Sequence, residues 1–146
     1  MLLRKYLLLQ NGVTLQVHET EDTIFSDEKW LCFILNQLIS NAVKYRRDPP
    51  VLTFRAVRNQ DTLTLSLQDN GIGIDARDLP RIFDKGFTGQ NGRRSAPNAT
   101  GLGLYLCKRL CDKLDIGLQA QSSPAGTTLS LTFRINDFIH GVQGPL

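Results

Sequence analysis

Gln37, Asn41 and Lys44 stand at i, i+4 and i+7 in the run Gln37-Leu-Ile-Ser-Asn41-Ala-Val-Lys44-Tyr45, and share a face if that run is helical. An asparagine oxygen is a neutral hard ligand, suited to Mg²⁺ beside crowded phosphates, and Lys44 adds a charge directed at phosphate. Taken alone, the same residues also suit the polar edge of an amphipathic helix.

Three further runs carry related chemistry. Asp69-Asn70-Gly71-Ile72-Gly73-Ile74 follows a stretch of strand character. A carboxylate at a strand end can accept a hydrogen bond from the exocyclic amine of adenine, a donor that guanine does not offer there, and paired glycines allow close backbone approach to a base or phosphate. The bland alternative is a plain Asn-Gly turn. Phe83-Asp84-Lys85-Gly86-Phe87 opens a long loop in which Lys85, Arg93 and Arg94 are candidates to reach phosphates. Its two aromatics could anchor a lid, although Phe83 suits core packing better. Thr100-Gly101-Leu102-Gly103-Leu104 leads into a helix, whose free N–H groups and positive dipole end attract an anion. This run is not a Walker loop, having no Gly-Lys-Ser/Thr, nor a dinucleotide fingerprint, since no strand immediately precedes it.

Elements must hold these runs in place. Alternation predicts a strand over 13–17, after the Asn11-Gly12 turn. Ser26 is expected to cap a helix reaching about residue 45, with Asp27 and Glu28 in its first turn and a stripe of Trp30, Ile34, Leu38, Ala42 and Tyr45. Asp48-Pro49-Pro50 stops it. Strands over 51–58 and 63–69 form a hairpin about Asn59-Gln60-Asp61. Within 70–100 a short helix is expected over 75–83, while 86–99 has no clean periodicity, the mark of a functional or mobile loop. A second helix is expected over 102–114, with Leu102, Leu106, Leu110 and Leu114 recurring every four residues and Cys107 and Cys111 beside them. Two strands, 116–122 and 127–135, flank a Pro124-Ala125-Gly126 turn. The order predicts an α+β sandwich. Residues 1–12 read as a linker or the end of an upstream helix, 13–135 as the domain, and 136–146 as a tail.

The totals agree with one globular domain: 146 residues, 41% apolar and 21% charged, with a net charge of +3. Arg93-Arg94 and Lys108-Arg109 are isolated pairs rather than a basic stripe, which argues against nucleic-acid binding. Three cysteines in apolar helical settings point to core packing in a reducing compartment, not to a disulfide framework or a metal site. The apolar stretch at Leu7-Leu8-Leu9 is too short to span a bilayer.

In this order the four runs resemble the GHKL ATPase and kinase superfamily, over about residues 13–134. Asn41 sits in what looks like its N box, 69–73 like its first glycine box, 83–87 like its F box, and 101–103 like its second glycine box. The resemblance implies the Bergerat fold: a two-layer α/β sandwich, its mixed sheet covered on one face by three helices, with a flexible lid over ATP. It implies Asn41 on Mg²⁺, Asp69 on adenine, amides near Gly101 and Gly103 on phosphate, and Thr127 as an extra contact on the adenine side. The implied nucleotide site comprises Asn41, Lys44, Tyr45, Asp69, Gly71, Gly73, Ile74, Phe83, Lys85, Phe87, Arg93, Thr100, Gly101, Leu102, Gly103, Leu104 and Thr127, with Asn41 and Lys44 as its catalytic pair.

Hydrolytic branches of that superfamily carry a Glu four residues before the N-box Asn. Gln37 occupies that position here and cannot act as a general base. This, with the F box, is similar to sensor histidine kinases of two-component systems. Finer features resemble the BceS-like, small intramembrane-sensing group that works beside peptide-antibiotic ABC transporters: Ser26-Asp-Glu-Lys-Trp30 and Phe87-Thr-Gly-Gln-Asn-Gly-Arg93. The implied partners are the protein's own dimerisation and phosphoacceptor histidine domain, a response regulator and an ABC transporter. The implied location is the cytoplasmic side of a membrane protein whose spans lie upstream. His18-Glu19 is followed by Thr20-Glu21-Asp22 with no proline, unlike an acceptor motif, so His18 and His140 read as structural or surface residues and the fragment alone should phosphorylate nothing. Two other readings stay open: a nucleotide-binding regulatory module without transfer activity, and a protein-serine kinase of the anti-sigma type.

Overall fold

The computed structural model describes residues 11–89 and 101–135; Arg93, Arg94, Thr100, His140, most of the expected linker and the tail lie outside them. In chain order the elements are β1 (Thr14–Val17), α1 (Glu28–Lys44), β2 (Val51–Asn59), β3 (Thr62–Asp69), a 3-10 turn (Leu79–Arg81), α2 (Gly103–Lys113), β4 (Gly117–Ser123) and β5 (Gly126–Arg134). The five strands form one mixed sheet in the order β1-β2-β3-β5-β4, with β1 parallel to β2 and every other pair antiparallel.

α1 is capped by Asp27, not Ser26: the Asp27 carboxylate accepts the Trp30 amide at 3.1 Å. Ser26 stands one residue too early to reach that donor. The helix buries Ile34, Leu35, Leu38, Ile39, Ala42 and Val43. Trp30 is not part of this line; 41% exposed, it stacks edge-on with Phe33, with Lys29 over its ring.

α2 buries its cysteines as expected, but only part of its leucine file. Its fully buried residues are Cys107 and Cys111, while Leu102 and Leu106 are exposed. The leucine and cysteine files differ by one residue, about 100° of helical turn, so a small rotation decides which of them faces inward. Here the smaller side chain wins at the helix contact, with the Cys107 thiol 3.9 Å from the Ile34 carbonyl oxygen. Burial pushes the Cys107 thiol up to about 12 and the Cys111 thiol to about 11.

The helix expected over 75–83 is only the 3-10 turn Leu79–Arg81. Pro80 lacks an N–H and would clash with the carbonyl four residues back, so an α-helix cannot run through it. Among the described residues the helical elements are therefore α1, α2 and this single turn. No described helix is long and apolar enough to cross a membrane.

Register fixes what the sheet offers the helices. One inward row pairs Ala56, Leu65, Leu131 and Leu118; the next pairs Phe54, Leu67, Leu129 and Ala120. Most of these side chains join the core with α1 and α2. Each such residue, fully buried, contributes about 1.5–3 kcal/mol. Two residues further along, the same face turns polar. Asp69 stands opposite Leu52, and Thr127 opposite Ser122. The outward rows are mostly hydroxyl and amide, as in Thr53, Gln68, Thr128 and Gln121, with Arg55 and the exposed Val57 among them.

Candidate functional site

A cleft of about 180 Å³ opens between α1, the start of α2 and the segment after the 3-10 turn. It is lined by Gln37, Ser40, Asn41, Lys44, Tyr45, Ile82, Phe87, Thr88, Gly101, Gly103 and Leu104. An adjoining recess of about 50 Å³ shares Asn41, Tyr45, Phe87, Thr88 and Leu104 and adds Gly73, Ile74, Asp78 and Gly89. The N-box and second glycine runs thus contribute most of their described expected residues to one continuous hollow, the F-box run contributes Phe87, and the first glycine run reaches it through Gly73 and Ile74.

α1 supplies the cleft from its last turns, where Gln37, Asn41 and Lys44 share a face as their spacing predicts. Lys44 is exposed and its Nζ lies 5.7 Å from the Tyr45 ring centroid. The Tyr45 carbonyl accepts the Ile72 amide at 3.0 Å, which ties the end of α1 to the first glycine run. Burial pushes the Tyr45 hydroxyl above its ordinary range.

The start of α2 closes the other wall. Gly101 has φ +70°, and a Cβ there would meet the Gly86 carbonyl carbon at 2.4 Å and the Phe87 nitrogen at 2.7 Å. The Gly86 amide donates to the Gly101 carbonyl at 3.1 Å, so the second glycine run is clamped to the F-box run. Gly103 permits a second close approach: a Cβ would lie 2.8 Å from Gln37 Oε1. Leu102 sits at the N-cap without a side-chain capping bond, so the first-turn amides have no intrahelical partner and border the cleft. That end of the helix favours negative charge.

Asp69 borders a different, much smaller recess of about 10 Å³ with Gly71, Asn70, Ala42, Val43 and Arg46. Its Oδ1 accepts two backbone amides, Gly71 at 2.9 Å and Thr127 at 3.1 Å. Burial raises its pKa above the ordinary value and outweighs these two bonds, which lower it. The Asn70 side chain accepts the Val51 amide at 2.8 Å and donates to the Pro49 carbonyl at 2.9 Å, pinning the end of β3 to the start of β2. Asn70 is thus more than a turn former.

Several expected site residues lie elsewhere. Phe83 packs against the core. Lys85 is exposed with its Nζ 6.0 Å from the Tyr105 ring centroid. Leu102 is exposed beside the cleft rather than among its lining residues. His18, expected to be a structural or surface residue, is exposed beside β2, its Nε2 accepting from the Arg55 guanidinium at 3.3 Å.

Sequence reasoning missed Ser40, Asp78, Ile82, Thr88 and Gly89 on the walls, and Ser122 behind them. The Ser122 hydroxyl accepts the Ile74 amide at 2.7 Å and lies 2.9 Å from Thr127 Oγ1. A signal for Ser122 existed: it continues the inward alternation Leu118, Ala120, Ser122, where a polar residue is unexpected.

The donor set bears on which metal fits. Among the described residues no three His, Cys, Asp or Glu gather into a cage. The two hollows offer the amide oxygens of Gln37 and Asn41, the hydroxyls of Ser40 and Thr88, and the Asp78 carboxylate. Few hard oxygens of this kind suit Mg²⁺ that takes its other ligands from phosphate and water.

Residues 26–137 match the family described as Histidine kinase-, DNA gyrase B-, and HSP90-like ATPase. Sensor protein BceS of Bacillus subtilis is 39% identical over 137 residues, which cover 92% of this chain and 40% of that protein. Sensor protein BceS of Halalkalibacterium halodurans is 41% identical over 133 residues, covering 90% and 39%. The chain therefore spans about 40% of the length of these relatives. Among solved structures, the mycobacterial sensor histidine kinase MprB superposes with a TM-score of 0.78 at 19% identity, covering 89% of each chain.

Proposed function

This chain belongs to the family of histidine kinase-, DNA gyrase B- and HSP90-like ATPases, and on that premise we propose that it binds Mg-ATP in the cleft between α1 and α2 for transfer of the γ-phosphoryl group to a protein histidine. The observation that carries the reading is the convergence of Asn41, Phe87, Gly101 and Gly103 on one hollow that Gly73 and Ile74 adjoin.

The division of labour follows from charge. Phosphoryl transfer spreads negative charge over the transferred group, so positioning and electrostatics supply most of the catalysis. The amides at Gly101–Leu104, in the turn that opens α2, and the Lys44 ammonium face phosphate. Asn41, helped by nearby oxygens, would hold the metal, which would supply positive charge against that of the phosphates. Asp69 reads the adenine amine, with Thr127 beside it, while Tyr45 and Ile74 flank the base. Gln37 stands where a water-activating carboxylate would stand in a hydrolase and offers no base, which favours an imidazole acceptor over water. A neutral imidazole is already nucleophilic, so the cleft need not deprotonate it.

The acceptor belongs to a dimerisation and phosphoacceptor domain of the longer protein, and a response regulator receives the phosphoryl group next. The parent is read as a membrane sensor with this domain on the cytoplasmic side, working beside an ABC transporter. Lys85 and Arg93 are assigned to offset phosphate charge, and Thr100 to the second glycine run beside the phosphates. The deciding experiment is autophosphorylation of the full-length protein with γ-labelled ATP. Label is expected on histidine in the wild type and absent in Asn41→Asp; wild-type labelling of Asn41→Asp would overturn the metal-holding role.

A further inference from the structure

We propose that Ser122 is a positioning residue for base recognition: its hydroxyl fixes Thr127, and through Thr127 the Asp69 carboxylate, relative to the Gly73–Ile74 backbone. The proposal rests on the reading of Asp69 as the adenine contact.

A serine hydroxyl has one proton and two lone pairs. Three neighbours claim them: the Ile74 amide at 2.7 Å, Thr127 Oγ1 at 2.9 Å and the Gly126 carbonyl at 3.3 Å. The amide can only donate and the carbonyl can only accept. All three are satisfied together when Ser122 donates to Gly126 and accepts from both Ile74 and the Thr127 hydroxyl. Thr127 is 5% exposed, so water cannot readily replace Ser122 there. The Thr127 amide in turn donates to Asp69 Oδ1 at 3.1 Å. A continuous line of bonds therefore runs from Ile74, on the wall of the nucleotide hollow, through Ser122 and Thr127 to Asp69. Loss of the Ser122 oxygen strands two donors, the Ile74 amide and the Thr127 hydroxyl, and loosens against the wall the residue that supplies one of the two amides on Asp69.

The test compares Mg-ATP with the Mg complex of purine riboside triphosphate, which lacks the exocyclic amine, in calorimetric titrations of wild type, Ser122→Ala, Ser122→Thr and Asp69→Asn. The readout is the ratio of the two affinities, because a generally loosened fold weakens both nucleotides alike and leaves the ratio unmoved. Ser122→Ala is expected to lower the ratio roughly fivefold or more, and Ser122→Thr, which keeps the hydroxyl, to restore it. If Ser122→Ala does not fold, Thr127→Val removes the partner hydroxyl while keeping the amide on Asp69, and carries the same expectation. An unchanged ratio in Ser122→Ala or Thr127→Val beside a lowered one in Asp69→Asn overturns the positioning role and leaves the adenine reading intact. A ratio unchanged in Asp69→Asn overturns the adenine reading itself.

Discussion

The backbone amide of Thr127 donates to Oδ1 of Asp69 at 3.1 Å, joining residues 58 apart in sequence. With the Gly71 amide at 2.9 Å on the same oxygen, it fixes the carboxylate by backbone groups rather than by side chains. No described residue donates to Oδ2, and it is not a sealed, partnerless atom, so it remains the oxygen available to a base.

Asp69→Asn keeps an oxygen for both amides but loses the charge. ATP affinity should fall by about 1.5–3 kcal/mol, roughly ten- to a hundredfold. The melting temperature near neutral pH should hold or rise, because the variant no longer buries an ionised group. Calorimetric titration and a thermal melt check both halves; undiminished binding would remove Asp69 from the site.

The same group sets a pH dependence. Its folded-state pKa is raised, chiefly by burial, so the folded state holds the proton more tightly than the unfolded chain. Ionisation therefore costs stability at neutral pH, and the cost is relieved as pH falls through the raised folded value. Measured by urea denaturation, wild type should gain on Asp69→Asn as pH drops, starting above the ordinary value of 3.8. A difference that stays flat, or moves the other way, contradicts the burial argument.

Gly101→Ala places a Cβ within 2.4 Å of the Gly86 carbonyl carbon at φ +70°. The variant should lose about 1–3 kcal/mol of stability from backbone strain and bind ATP more weakly, since the turn into α2 must move. Denaturation and titration of the variant give both numbers; wild-type values for both would show that the clamp to the F-box run is dispensable.

Cys107 and Cys111 are fully buried, with thiols pushed up to about 12 and 11, whereas Cys32 is partly exposed. Alkylation of the native chain by iodoacetamide near neutral pH should therefore modify Cys32 first, with all three reacting after denaturation. Mass spectrometry reads the adducts. Prompt native labelling of Cys107 would mean that α2 does not pack as described.

The sequence made the strands and both long helices legible because alternation and four-residue recurrence come directly from burial. It misplaced what depends on small rotations or on single groups. Asp27 rather than Ser26 caps α1 because only its carboxylate reaches the Trp30 amide. Leu102 and Leu106 of α2 stay exposed, which spacing did not show because leucine and cysteine files one residue apart look alike. The residues around Asn41, Gly101 and Gly103 were legible as local signatures. Ser40, Thr88 and Asp78 were not, since they join the hollow through tertiary packing that spacing alone does not encode. Asp69 was legible as a strand-end carboxylate, but its tie to Thr127 needed the β3–β5 register.

The most direct measurement is an amide chemical-shift titration of the ¹⁵N-labelled chain with Mg-ATP. Saturable shifts are expected at Asn41, Gly73, Ile74, Gly101 and Gly103, with quiet amides on the outward sheet face at Ser66, Gln119 and Ser130. Shifts confined to the outward face, or none at millimolar nucleotide, would contradict binding in the cleft.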